Sequence, residues 1–152
     1  MIDSEYWARY YAVTVGRPAW PTVRFAIERF AAEPHTDPDT GPRFAVDLGC
    51  GAGRDARELL NAGWRVLAVD REPGAIAALE AATRLELRPA LTGQVADLAD
   101  VAIPACDLVN ASLCLSFLSP RRVEHGPDDD LPVARGDPSR PSWVRGRALV
   151  RA

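Results

Sequence analysis

The chain contains no lysine; all 18 of its basic residues are arginine. A phosphate loop ending in Gly-Lys-Ser/Thr is therefore excluded. With a formal net charge of −3 there is also no basic patch with which to grip nucleic acid. Histidine and cysteine are scarce. His35 and His125 stand far apart in polar sequence, without the companions of a catalytic triad or a metal cluster. Cys50, Cys106 and Cys114 are an odd set with no Cys-x-x-Cys pair, which argues against both a disulfide framework and a zinc site. No apolar run reaches the roughly 18 residues of a membrane span, and no secretory leader opens the chain, so a cytoplasmic protein is expected. The 152 residues, 47% of them hydrophobic, suit one globular domain with a modest core.

The most informative sequence present is Phe-Ala-Val-Asp-Leu-Gly-Cys-Gly-Ala-Gly-Arg-Asp at 44–55. Residues 44–48 predict a short buried strand, and the three alternating glycines, Gly49, Gly51 and Gly53, predict a turn that lets a ligand approach main-chain N–H groups. Asp47 puts a carboxylate near the carboxyl end of that strand, where open parallel sheets bind ligands. Ala56, Leu59 and Leu60 then share one face of a helix over 54–63, closed by Asn61-Ala62-Gly63. A second buried strand at 64–69 ends on Asp70, an acid about 20 positions past the glycines, as a ribose-binding acid requires.

The spacing weighs against a dinucleotide site. Counted from Gly49, the last glycine of GxGxxG would fall on Arg54, although the looser form counted from Gly51 does end on Ala56 and leaves a dehydrogenase fragment open. The string Asp-x-Gly-x-Gly-x-Gly resembles the first motif of class I S-adenosylmethionine-dependent methyltransferases, and the wider sequence is similar to the small-molecule enzymes of the tellurite-resistance type. That resemblance implies a Rossmann-like three-layer α/β sandwich on a mostly parallel sheet, S-adenosylmethionine as cofactor and a small-molecule acceptor. It implies that Gly49, Gly51 and Gly53 hold the methionine and ribose side of the cofactor, that Asp47 meets its ammonium group or the water around it, and that Asp70 grips the ribose. It names no catalytic residue, because positioning donor and acceptor in line can suffice for methyl transfer.

Further along, Glu72-Pro73-Gly74 opens a helix whose apolar spacing continues through Ile76 and Leu79 to Leu85 or Glu86. Residues 91–98 predict a strand weakened by Gly93 and ending in Asp97-Leu98. By the same resemblance Asp97, with Leu98 beside it, faces the adenine. A fourth strand is predicted at 106–113, with Asp107 as the polar residue at its start. There Asn110 and Ser112 are candidates to line the methionine portion, and the stretch on to Phe117 and Pro120 is similar to the family's fourth-strand region. Upstream, Ser4 caps an aromatic-rich helix over 4–13, and Val23, Ile27, Phe30 and Ala31 share a face of a helix over 21–32. Pro34, Pro38, Gly41 and Pro42 make a polar loop before the first strand. Tyr10, Tyr11 and Arg17 are candidate lid residues.

The likeness spans residues 4–119. Residues 120–152 are rich in arginine, proline, glycine and aspartate, including Asp128-Asp129-Asp130, with no sustained period, and are expected to be irregular. The expected sheet therefore has about four strands, with the fourth left as an open edge. Two explanations fit: a methyltransferase interrupted by a shifted reading frame or a gene-boundary error, or a short homologue completed by a partner chain or a dimer. A chain lacking the later strands could bind the cofactor without turning over, and this is the alternative to an active enzyme.

Overall fold

The computed structural model describes residues 4–33, 41–112 and 114, and the backbone of a strand at 147–151. In chain order the elements are α1 (Ser4–Thr14), α2 (Pro21–Ala31), β1 (Phe44–Leu48), α3 (Arg54–Asn61), β2 (Arg65–Asp70), α4 (Pro73–Ala82), β3 (Leu91–Val95), β4 (Leu108–Ser112) and β5 (Arg147–Arg151). Short 3-10 turns at Leu85–Ala90 and Leu98–Asp100 flank β3. Pro21 and Pro73 each open a helix, as proline's fixed φ and missing N–H favour. Helix α4 is shorter than its apolar spacing predicts. At Thr83 the backbone turns extended while the side chain donates back to the Leu79 carbonyl at 2.7 Å, and Pro89 keeps the following stretch in a 3-10 turn.

All five strands are parallel, in the order β3-β2-β1-β4-β5. Successive strands leave β1 in opposite directions, so the point where the strand order reverses, at which open α/β sheets form their binding crevice, lies between β1 and β4. There Asp47 and Asn110 are register partners. The two strands start in step because the Phe44 N–H donates to Asp107 Oδ2 at 2.8 Å and the Asp107 N–H returns a bond to the Phe44 carbonyl at 2.8 Å.

The core lies on both faces of the sheet. On one face Val23, Ala26 and Phe30 of α2, Ala56, Leu59 and Leu60 of α3, and Ile76 and Leu79 of α4 close over Ala45, Val66, Ala68 and Leu108. Trp64 packs edge-on to Phe30, with ring centroids 5.1 Å apart. Arg43 seals this corner: its guanidinium lies 4.7 Å from the Phe30 ring and donates to the Phe30 and Glu33 carbonyls, each at 3.0 Å. On the other face Val46, Leu48, Val69 and Ala111 cluster with Val101 and Cys114. Among the described residues that second cluster includes no α-helical member, so two of the three expected layers are carried by them.

Strand β5 comes from the segment read as irregular. It pairs in parallel along β4, from Leu108↔Arg147 to Ser112↔Arg151, and raises the sheet from four strands to five. Arg-Ala-Leu-Val-Arg is too short an apolar stretch to announce a strand. What organises it is the row of N–H and C=O groups along β4, which any adjacent extended segment can satisfy. The expected irregularity of residues 120–146, the last residue of the predicted fourth strand, Leu113, the Phe117 and Pro120 positions and the Pro34 and Pro38 loop lie outside the described residues.

Candidate functional site

The glycine turn joins β1 to α3 by a chain of main-chain bonds. The Cys50 N–H donates to the Val69 carbonyl at 3.0 Å, and the Gly53 N–H donates to the Cys50 carbonyl at 2.9 Å. Gly49 and Gly53 have φ of +64° and +77°, a region L side chains avoid. Each also stands where a Cβ has no room: at Gly49 it would overlap Cys114, and at Gly53 it would overlap Leu79. The Gly51 N–H is claimed by Asp70, whose Oδ2 accepts it at 2.9 Å while Oδ1 accepts from the Glu72 N–H at 3.0 Å. One carboxylate at the end of β2 thus fixes both the turn after β1 and the turn into α4.

A cavity of about 590 Å³ opens at the carboxyl ends of the strands, within the size range of small-molecule sites. Of the residues picked from the sequence, Asp47, Gly49, Gly51, Gly53, Asp70, Asp97 and Leu98 line it. Tyr10 and Tyr11 line it as well, together with Tyr6, Trp7 and Thr14 from the same helix. Arg17 does not. Trp7 stacks on Tyr11, with centroids 5.9 Å apart, so the aromatic group packs internally while forming one wall. Burial first, and then the Asp70 and Glu72 carboxylates, push the Tyr11 phenol above its ordinary range. Asp97 Oδ1 accepts the Ala99 N–H at 3.0 Å, capping the 3-10 turn that presents Leu98.

Asn110 differs from the expectation. It does not line the cavity; it is 1% exposed, and its amide bridges two acids, donating to Asp47 Oδ1 at 2.7 Å and to Asp55 Oδ2 at 3.1 Å. The register that puts Asn110 beside Asp47 turns its side chain toward β1 and α3 rather than into the open cleft. Ser112 does reach the cavity, and its hydroxyl donates to Asn110 Oδ1 at 3.1 Å. Asp47 is 2% exposed, and its Oδ2 is buried with no hydrogen-bond partner. Burial above all, and next the Asp55 charge, push its carboxyl up to about 8, against the pull of the Asn110 amide. Burial and then the Asp47 charge raise the Cys114 thiol to about 11, leaving it a compact apolar filler.

Asp55 and Trp20 carry parts that sequence reading missed. Asp55 Oδ1 accepts the Trp20 N–H at 2.9 Å, which ties the connection before α2 to the first turn of α3, and Arg54 lies over the Trp20 ring at 4.1 Å. Asp55, Trp20 and Arg54 all border the cavity. The available signal was an acid on the same helical face as Ala56, Leu59 and Leu60, a position where an acidic side chain needs partners. Among the described residues no group of His, Cys, Asp and Glu is arranged to hold a metal ion.

The sequence matches the family described as methyltransferase domain over residues 45–126, more than half of the chain. The chain belongs to that family. Its methyltransferase fold is similar to solved structures of three organisms. A TehB-like SAM-dependent methyltransferase from Corynebacterium glutamicum matches with 24% identity and a TM-score of 0.58, over 80% of this chain and 61% of that one. An S-adenosyl-L-methionine-dependent methyltransferase from Methanococcus maripaludis matches with 16% identity and a TM-score of 0.61, over 81% and 58%. A third, from Mesorhizobium loti, is 29% identical with a TM-score of 0.51, over 70% and 44%. The chain spans less than two thirds of the length of each. No curated protein matches the sequence.

Proposed function

We propose that the cleft binds S-adenosylmethionine and that the chain transfers its methyl group to a small-molecule acceptor. The observation that carries this reading is the cradle itself: a glycine turn too crowded for a Cβ at two positions, tied through Gly51 to Asp70, at the point where the strand order reverses in a methyltransferase-family sheet. The Mesorhizobium loti structure, an S-adenosylmethionine-dependent methyltransferase, supports the choice of cofactor.

The residues fit that group. Asp47 Oδ2 is a buried acceptor in the cavity wall with no donor, a position suited to the cofactor's ammonium. Asp70 uses one lone pair on each oxygen for Gly51 and Glu72 and keeps others for the ribose hydroxyls. All five of Gly49, Gly51, Gly53, Asp97 and Leu98 line the cavity, and in this reading Asp97 and Leu98 meet the adenine and the glycines the methionine and ribose. Asn110 acts on the cofactor through Asp47. When bound, S-adenosylmethionine supplies an already activated methyl group. The chain's contribution is to orient it and, with the α1 aromatics, to exclude water from the transfer. A cytoplasmic location fits the free cysteines Cys50, Cys106 and Cys114, and no helix among the described residues is long and apolar enough to cross a membrane.

Titration calorimetry with S-adenosylmethionine and S-adenosylhomocysteine, followed by a methyl-transfer assay on thiol, selenite and tellurite acceptors, tests the proposal. Binding with turnover supports it, binding without turnover identifies a cofactor-binding remnant, and no binding of either compound overturns it.

A further inference from the structure

Two buried acids in the cavity wall share one amide. The same Asn110 nitrogen serves Asp47 Oδ1 at 2.7 Å and Asp55 Oδ2 at 3.1 Å. The two carboxylate oxygens at the amide's other end set its orientation, with the nitrogen toward the acids and the oxygen accepting from the Ser112 hydroxyl at 3.1 Å. Asp55 has a second donor in the Trp20 N–H, whereas Asp47 Oδ2 has none. The titratable groups acting on Asp47 are Asp55 on α3, Asp70 at the end of β2, Cys50 in the glycine turn and Cys114 after β4, and none of them is cationic. Among the described residues no ion pair reaches either acid of the pair, and the Arg54 guanidinium lies on the Trp20 ring. The shared amide, the Trp20 N–H on Asp55 and the Ala56 N–H acting on Asp47 are all neutral donors, and two buried carboxylates with no cation between them relieve their repulsion by retaining a proton.

Resting on the cofactor reading above, we propose that Asp47, with Asn110 as the residue that positions its carboxyl, retains a proton in the empty cleft, and that this proton leaves for solvent when a cationic ammonium group enters beside it. The O–H bond of the Asp47 carboxyl breaks, the proton passes to bulk water or buffer, and the resulting carboxylate pairs with the ammonium, which supplies the donors that Oδ2 lacks. Asp55 keeps its bonds from the Asn110 amide and the Trp20 N–H throughout. Binding of an ammonium-bearing nucleoside is thus coupled to proton release, whereas binding of the same nucleoside without the ammonium is not. The direction in which burial displaces the Asp47 carboxyl agrees with this assignment.

Calorimetric titration of the full chain with S-adenosylhomocysteine near neutral pH, in buffers of different ionisation enthalpy, counts the protons released. About one per ligand is expected, and close to none with methylthioadenosine, which has the nucleoside and no ammonium. Asp47→Asn should abolish the release. Asn110→Leu should weaken S-adenosylhomocysteine binding about tenfold at neutral pH, with the deficit closing as pH rises, because the acid loses the bond that favours its ionised form. A purely structural role for Asn110 would weaken binding equally at every pH and would sink the assignment. Carbon-detected NMR titration of the Asp47 carboxyl in the ligand-free native chain gives an independent reading, and an acid already ionised at mildly acidic pH would refute the proposal. Binding of S-adenosylhomocysteine without proton release would also overturn it while leaving the cofactor reading intact. Failure of both nucleosides to bind would remove the two together.

Discussion

The side chain of Leu79 on α4 fills the space that a Cβ on Gly53 would need, and does so where Gly53 holds a φ of +77°. The glycine is therefore required twice over, for the backbone conformation that starts α3 and for the contact between the glycine turn and α4. Gly53→Ala is expected to destabilise the fold by roughly 1–3 kcal/mol through strain alone, and further through displacement of Leu79. Urea denaturation of the ligand-free chain measures the loss, and an unchanged midpoint would show that neither constraint operates.

Asp70 supports the turn and, in our reading, the ribose. Asp70→Ala should weaken S-adenosylhomocysteine binding by about 10–100-fold, the effect of losing hydrogen bonds to a charged acceptor. Asp70→Asn should lose less, since its one carbonyl oxygen can still serve Gly51 or the ribose. Equal affinities for the native chain and Asp70→Ala in calorimetry would remove Asp70 from the site.

The pH dependence of folding follows from Asp47. Its carboxyl is displaced from an unfolded value of about 3.9 up to about 8 in the folded chain. Between those limits the folded state binds more protons than the unfolded one, so this group favours the fold at the acidic end and its contribution declines as pH rises toward 8. The slope is at most about 1.4 kcal/mol per pH unit. Thermal melts across this range should show the decline in the native chain and a flatter profile in Asp47→Asn; parallel profiles would refute it.

Arg43 offers a contrast away from the cleft. It stacks on Phe30, donates to two main-chain carbonyls and lies 3.9 Å from Asp107. Arg43→Ala should cost about 1–3 kcal/mol of stability and leave ligand affinity unchanged once folded. Arg43→Lys should recover only part of the loss, since an ammonium cannot reproduce the planar stack and the fork together. Full recovery with lysine would show that charge alone matters.

Much of the fold was legible because β1, the glycine turn, α3 and β2 are encoded by contiguous sequence: apolar runs, glycines at fixed intervals and an acid at each strand end. Asp47, Asp70 and the glycines fell where local rules put them. Asn110 and Asp55 did not reveal their parts, because the Asn110 bonds to Asp47 and Asp55 join residues 63 and 55 positions apart, and sequence periodicity carries no information about such pairing. Trp20 was silent for the same reason, since its main-chain N–H rather than its indole meets Asp55. Strand β5 was missed because its pattern is set by β4's edge and not by its own residues.

Three of the four tryptophans lie among the described residues and are sorted by location: Trp7 and Trp20 border the cavity, whereas Trp64 is 4% exposed against Phe30. The molecule therefore contains its own optical reporters. In a chain whose other tryptophans are replaced by phenylalanine, emission from Trp7 and Trp20 should respond to occupancy of the cleft and emission from Trp64 alone to cooperative melting, so an emptied pocket and a loosened interior can be told apart without any attached dye.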